Sequence, residues 1–345
     1  MRIAVSGYFG WGNFGDQLFL DTVIDKHQHI WPDATSVISL TEQPLAPHST
    51  RRVAGALSRV WYTFRVAMGA DLLAYCGGSV FTQISGADAV RRWIRPARMQ
   101  ALGVSVGPFN SIRAEREVAK YLAQFESIVF RDSSWKDFPR VGMLGNHRQG
   151  GDIAALSSRI SRDEKADRRG LVVCPSAAAG QDSATLAEQA RQAFEMLSKS
   201  RPHVSVTILA LNGHPELGDL QLSREVSKLL SKGGIPSKVE DYISLGLQET
   251  CDLLTRAELV LSQRLHGAIV AYLSGGKFIL ADHHPKCKAF VDEIRAEDFI
   301  SVKPSSPNIV NELEEVLRGD RIWQVSPQEY VAHAREVYFS AHARA

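Results

Sequence analysis

The run Ser262-Gln263-Arg264-Leu265-His266-Gly267 sits where a buried apolar strand, expected over 258–262, gives way to a helix expected over 264–274. A guanidinium can grip a carboxylate or phosphate through two parallel N–H bonds. The first turn of a helix adds N–H groups and the positive end of a dipole, which together form an anion site. In mid-helix a two-residue spacing would turn His266 away from Arg264, but in the first turn both can flank one ligand. Ser262 is placed to cap that helix. Gly267 lies in the same turn, and Lys286 follows the next strand (277–280) from the same sheet edge. Such a set suits a compact, strongly negative small molecule. Without further context, an arginine at a helix start is usually a surface or ion-paired residue, and a lone histidine is more often structural than catalytic.

A second group is "VSGYFGWGNFGD" (5–16), where Gly10, Gly12 and Gly15 have G-x-G-x-x-G spacing. A dinucleotide turn needs its first glycine directly after the strand and small residues beside the pyrophosphate. Here Gly7 follows the strand but does not begin the run, and Tyr8, Phe9, Trp11 and Phe14 thread the loop. Glu42 stands too far past Gly15 to be the ribose-binding acid. The expected reading is an aromatic-walled loop ending in Asn13-Phe14-Gly15-Asp16 at a helix start, with Tyr8 and Trp11 able to stack on a sugar face. Asp16 is either a helix cap or a catalytic base. Three further turns follow the same strand-loop-helix logic: "CGGSVF" (76–81) with Gly77 and Gly78, "SVGPF" (105–109), and "FRDSSW" (130–135) with Arg131.

The elements that must hold these turns alternate along all 345 residues. Strands are expected at 2–6, 35–40, 71–75, 101–106 and 127–130, with helices at 16–29, 51–68, 87–100 and 113–125. After a polar stretch at 157–170 the alternation restarts with strand 171–174, and "SPQEY" starts a last helix with Ser326 as N-cap and Glu329 at N3. This is α/β architecture, with two Rossmann-like domains whose parallel sheets face a central cleft. The expected boundaries are 1–156, a linker 157–170, 171–325, and a C-terminal helix 326–345. In an open parallel sheet all the turns above fall at the carboxyl edge, where ligands bind.

Composition restricts the function further. With 44% hydrophobic and 23% charged residues the chain reads as globular, and a net charge of +2 makes no general case for nucleic-acid binding. No apolar run approaches the length of a bilayer span. The four cysteines are scattered singly, and the adjacent His283 and His284 would face opposite ways on a strand. No disulfide framework or metal site is expected, and a reducing cytoplasm fits.

Taken together, the GN-x-GD loop, the Gly-Gly turn, the GP loop, the Arg-Asp pair, the S-x-R-L-H helix start and P-K-x-x-x-F (285–290) resemble the polysaccharide pyruvyl transferase family. The resemblance runs from Gly12 to about Phe290 and implies a fold similar to GT-B glycosyltransferases. It implies transfer of a pyruvyl group from phosphoenolpyruvate to a sugar as a cyclic ketal, with no cofactor beyond that donor. Arg264 and His266 match the family's donor-binding motif. Ser262, Gly267 and Lys286 would share the donor side, and Tyr8, Trp11, Asn13, Asp16, Gly77, Gly78 and Arg131 the acceptor side. Two departures stand out: Cys76 replaces a glycine, and "PSAAAGQD" (175–182) lacks the basic residue relatives often carry after that strand.

The acceptor implied is a cell-surface polysaccharide or its lipid-linked precursor. The arginine-rich stretches 51–65 and 91–98 could rest on an anionic membrane at the inner face. Rival readings on the same architecture are a nucleotide-sugar glycosyltransferase and a non-catalytic glycan-binding homologue. The donor-site expectation fails if the guanidinium at position 264 is turned away from the cleft or knotted into a buried ion pair.

Overall fold

The computed structural model describes residues 1–39, 69–84, 98–162, 167–180, 182–201, 203–319 and 322–341. The chain forms two compact units. The first comprises Met1–Gly10, Asp16–Ser157 and Val331–Ala345, and the second Trp11–Gly15 and Ser158–Tyr330. Relative to the expected boundaries, residues 11–15 go with the second unit and the end of the last helix with the first. The arginine-rich stretches 51–65 and 91–97 lie outside the described residues, whereas Arg98 pairs with Glu126 at 2.8 Å.

In the first unit the chain runs β1 (Arg2–Ser6), α1 (Phe14–Ile30), β2 (Ser36–Ser39), β3 (Leu72–Cys76), β4 (Met99–Val104), α2 (Ile112–Leu122), β5 (Ser127–Phe130), α3 (Pro139–Gly142) and β6 (His147–Gln149). The strand order is β2-β1-β3-β4-β5-β6, and every pairing is parallel. Strands buried on both faces must be apolar almost throughout. That explains LLAYC and MQALGV, where every residue is buried. On one side Tyr75, Phe81, Tyr121 and Phe125 pack together, the Tyr75 and Tyr121 hydroxyls meeting at 2.6 Å. β6 was not expected from the sequence, because its three residues, HRQ, are polar and half-buried.

The second unit continues with β7 (Leu171–Cys174), α4 (Ser183–Ser200), β8 (Val206–Ala210), α5 (Leu220–Lys232), β9 (Ser237–Asp241), α6 (Tyr242–Leu245), α7 (Leu247–Thr255), β10 (Leu259–Ser262), α8 (Leu265–Leu273), β11 (Lys277–Ala281), α9 (Pro285–Glu293), β12 (Ser301–Val302) and α10 (Val310–Arg318). Its order, β12-β11-β10-β7-β8-β9, is again wholly parallel. The last helix, α11 (Pro327–Phe339), begins with the reciprocal bonds of a capping box. Glu329 N–H donates to Ser326 Oγ at 3.2 Å, and Ser326 N–H donates to the Glu329 carboxylate at 2.8 Å. Its later turns serve the first unit, where Tyr338 donates to the Gly151 carbonyl at 2.6 Å. Among the described residues no helix is long and apolar enough to cross a membrane.

Each sheet has one point where strand order reverses. It lies between β1 and β3 in the first unit and between β7 and β10 in the second. Outside the carboxyl ends of such strands the connections diverge and leave a crevice.

Candidate active site

At the first crevice Gly77 and Gly78 follow β3 with φ of 67° and 70°. A Cβ on Gly77 would overlap the Phe19 ring, so this glycine lets α1 close on the sheet. A Cβ on Gly78 would lie 3.2 Å from Asp16 Oδ1 and 4.0 Å from the Tyr8 ring. Tyr8, Asp16 and Gly78 therefore share this edge, with Tyr8 50% exposed.

Arg131 does not join them. It is 4% exposed. Its Nη2 donates to Ser105 Oγ at 2.7 Å, its Nε to Asp132 Oδ2 at 3.3 Å, and its Nη1 lies 3.9 Å from Asp152. Burial alone would raise the Asp132 carboxyl, yet Arg131, Ser105 and Ser134 together hold it below the usual carboxylate range. The expected acceptor contact is corrected to a structural one, because the guanidinium is enclosed by its own carboxylates. Gly77 is corrected likewise, to helix packing.

At the second crevice Ser262 is fully buried. Its hydroxyl donates to the Arg264 carbonyl at 2.6 Å and accepts from the Arg264 N–H at 3.2 Å. It therefore braces the turn, while Arg264 occupies the N-cap position of α8. A Cβ on Gly267 would meet Ser262 Oγ at 2.5 Å and Cys174 Sγ at 3.2 Å. This glycine brings helix and strand together, the packing role that a third glycine has in dinucleotide folds. Both residues frame the turn through these internal contacts. Burial pushes the Cys174 thiol upward, which makes it an inert wall.

Arg264 departs most from expectation. Its Nε donates to Asp219 Oδ2 at 2.8 Å and its Nη2 to Asp219 Oδ1. Asp219 is fully buried, and the Arg264 side chain is 18% exposed. The expected free fork on the donor is thus corrected: the fork closes on Asp219 and leaves Nη1 outside the pair.

His266 is placed by the opening loop. Within the second unit Phe14 N–H donates to the Leu211 carbonyl at 2.9 Å and Gly213 N–H to the Gly12 carbonyl at 2.8 Å. Asn13 and Asn212 form an antiparallel bridge between them. Trp11 stacks on His214, with centroids 6.1 Å apart. A methyl group on Gly15 would overlap the His266 imidazole. The glycine run therefore makes room for a side chain of its own protein, and Trp11 and Asn13 belong with His266 rather than with Tyr8. Gly15→Ala is expected to displace the ring by about an ångström and lower turnover about a hundredfold. Steady-state rates on the folded variant measure this.

Lys286 lies in the first turn of α9, its N–H bonded to His284 Nδ1 at 3.3 Å. His283, not expected to take part, donates from Nδ1 to the Ala281 carbonyl at 3.2 Å. Its basicity is lowered by burial first, then by the positive charges of Lys286 and Arg264. Those two cations are therefore both within electrostatic reach of one ring. The signal available in sequence was the histidine pair at the end of a strand, which reads naturally as a poor metal site and nothing else. Among the described residues no group of three His, Cys, Asp or Glu side chains could hold a metal ion.

A family model described as polysaccharide pyruvyl transferase matches residues 13–285. No curated protein matches the chain in sequence. Among solved structures, the UDP-GlcNAc 2-epimerase from Neisseria meningitidis bound to UDP-GlcNAc has a TM-score of 0.61 at 10% identity, covering 100% of both chains. The Methanocaldococcus jannaschii UDP-GlcNAc 2-epimerase in complex with UDP-GlcNAc and UDP has 0.59 at 12%, covering 98% of each. At such identities the likeness is one of fold, GT-B-like, and carries nothing further. The S-x-R-L-H turn and the loop braced against it fall within the matched span, and the chain belongs to the polysaccharide pyruvyl transferase family.

Proposed function

We propose that this transferase uses phosphoenolpyruvate as donor and ketalises two hydroxyls of a saccharide. The acceptor is a cell-surface polysaccharide unit or its lipid-linked precursor, handled in the cytoplasm at the inner face of the membrane. The observation that carries the reading is the turn at the β7–β10 crevice. There Arg264 stands at the N-cap of α8 with His266 in its first turn, and Lys286 lies in the first turn of α9 after the next strand. Phosphoenolpyruvate is a small polyanion, and a helix start with a directed guanidinium N–H supports binding of this kind.

The reaction follows from the donor's enol ester. A proton added to the methylene carbon turns it into a methyl group and leaves an electrophilic carbon beside it. One sugar hydroxyl attacks that carbon and gives up its proton. His266 acts as general acid on the bridging oxygen, so the bond between that oxygen and the carbon breaks and phosphate leaves with the oxygen. The second hydroxyl closes the ring and gives up its proton. Over the cycle one hydroxyl proton ends on the methyl group and the other on phosphate. Asp16, beside Tyr8 and Gly78, is the candidate base. Arg264 meets the donor through Nη1, and Tyr8, half exposed, offers an aromatic face to the sugar.

The test is incubation with phosphoenolpyruvate and a panel of glycans. Phosphate release with a matching mass gain of one pyruvyl group is expected. No turnover, with thermal stabilisation by a nucleoside diphosphate instead, would move the protein to the nucleotide-sugar reading.

A further inference from the structure

We infer that Asp219 is a positioning residue that aims Arg264 at the donor. The ligand named here rests on the phosphoenolpyruvate reading; the geometry does not.

An aspartate directly before a helix normally accepts a hydrogen bond from that helix's own first turn. Asp219 stands at the N-cap of α5 yet makes no such bond. Its carboxylate points elsewhere and takes four donors. Oδ1 accepts from Ala177 N–H at 3.1 Å and from Arg264 Nη2. Oδ2 accepts from Asn212 N–H at 3.0 Å and from Arg264 Nε at 2.8 Å. Each oxygen thus receives one backbone N–H and one guanidinium N–H.

This pattern has a directional consequence. The backbone donors lie in the loops after β7 and β8, so both oxygens are fixed independently of arginine. A planar carboxylate bound through two parallel bonds sets the plane of the guanidinium. The direction of Nη1 then follows. Arg264 sits two residues from His266, at the start of α8, so fixing its plane fixes one wall of the donor crevice. The pair is also neutral overall. Arg264 therefore contributes a directed N–H contact to an anion, with its net charge largely cancelled. Asn212 ties the same frame to the opening loop through its bridge to Asn13.

A merely structural Asp219 would affect stability alone. The experiment is calorimetric titration with phosphoenolpyruvate, and in parallel with inorganic phosphate. It uses the full chain as wild type, Asp219→Asn, Arg264→Ala and the double variant, each with its melting temperature. Asp219→Asn keeps the size of the side chain and removes its charge. It is expected to weaken donor binding about ten-fold, as Arg264→Ala does. The double variant should bind no worse than Arg264→Ala, because residues acting through one contact are not additive. Wild-type affinity in folded Asp219→Asn, or losses that multiply in the double variant, would overturn the inference.

Should Asp219→Asn not fold, Arg264→Lys carries the test. Lysine keeps the charge and a bond to Asp219 but has no rigid second edge, so a similar loss is expected at an unchanged melting temperature. Wild-type affinity there overturns the inference as well. The two readings separate cleanly. Wild-type protein that binds phosphoenolpyruvate while Asp219→Asn binds it equally sinks the positioning role alone. Binding of phosphate but not phosphoenolpyruvate, lost in Asp219→Asn, sinks the donor assignment alone. Binding of neither probe sinks both.

Discussion

If the proposed reaction holds, replacing His266 by alanine is expected to lower phosphoenolpyruvate-dependent phosphate release about a thousandfold, the middle of the range for removing a general acid. That corresponds to about 4 kcal/mol of barrier. His266 is in the first turn of α8, next to the braced Arg264 turn, and its ring lies against Gly15. The loop that supplies Gly15 is fixed through Phe14, Asn13 and Gly12 to residues 211–213. Both sides of the imidazole's setting are therefore rigid, as proton transfer in a defined geometry needs. The melting temperature should change by no more than about 4 °C, since the residue is half-buried. Combining Gly15→Ala with His266→Ala should cost no more than His266→Ala alone, because the glycine acts only through the ring. A His266→Ala enzyme with the wild-type rate would remove the imidazole from the reaction.

The strands were readable because a parallel sheet covered on both faces demands short apolar runs: LVVC, LVLS and SIVF occupy the expected positions. The edge strands β6 and β12 were not, since HRQ and SV carry too few apolar residues to signal a strand. The S-x-R-L-H turn was visible as a motif, but its bracing was not. Asp219 lies 45 positions from Arg264 and falls inside a stretch, 216–232, that reads as helix throughout. No local pattern announces that a carboxylate will leave its own helix for a distant guanidinium. Gly15 raises the same difficulty in reverse. Its spacing signals a tight turn, while the reason for the missing side chain is a histidine far along the chain. Ser262 and Gly267 show the opposite error, in which residues beside a motif were given ligand contacts that folding had already claimed.

Arg131 tests that distinction with the second large effect. Arg131→Met is expected to destabilise the protein by about 3–5 kcal/mol, because it removes the cation from a buried pair and leaves the carboxylates uncompensated. Asp132 and Asp152 are 3% and 1% exposed, so water cannot replace the guanidinium. Urea unfolding at neutral pH measures the loss. Its pH dependence follows from Asp132, whose folded value is depressed despite the opposing effect of burial. A depressed carboxyl adds stability that is full above its unfolded value, about 4, and disappears as pH falls through the lower folded value. The unfolded value is common to both proteins, so the gap between wild type and Arg131→Met should narrow as pH falls through the mutant's folded value, which loss of the guanidinium raises, and level off below the depressed wild-type value. A gap that persists unchanged into acid would uncouple Asp132 from the arginine. If Arg131 instead touched the acceptor, the same substitution would raise the acceptor KM at an unchanged urea midpoint. The enclosure of its guanidinium by Ser105, Asp132 and Asp152 argues for the loss of stability.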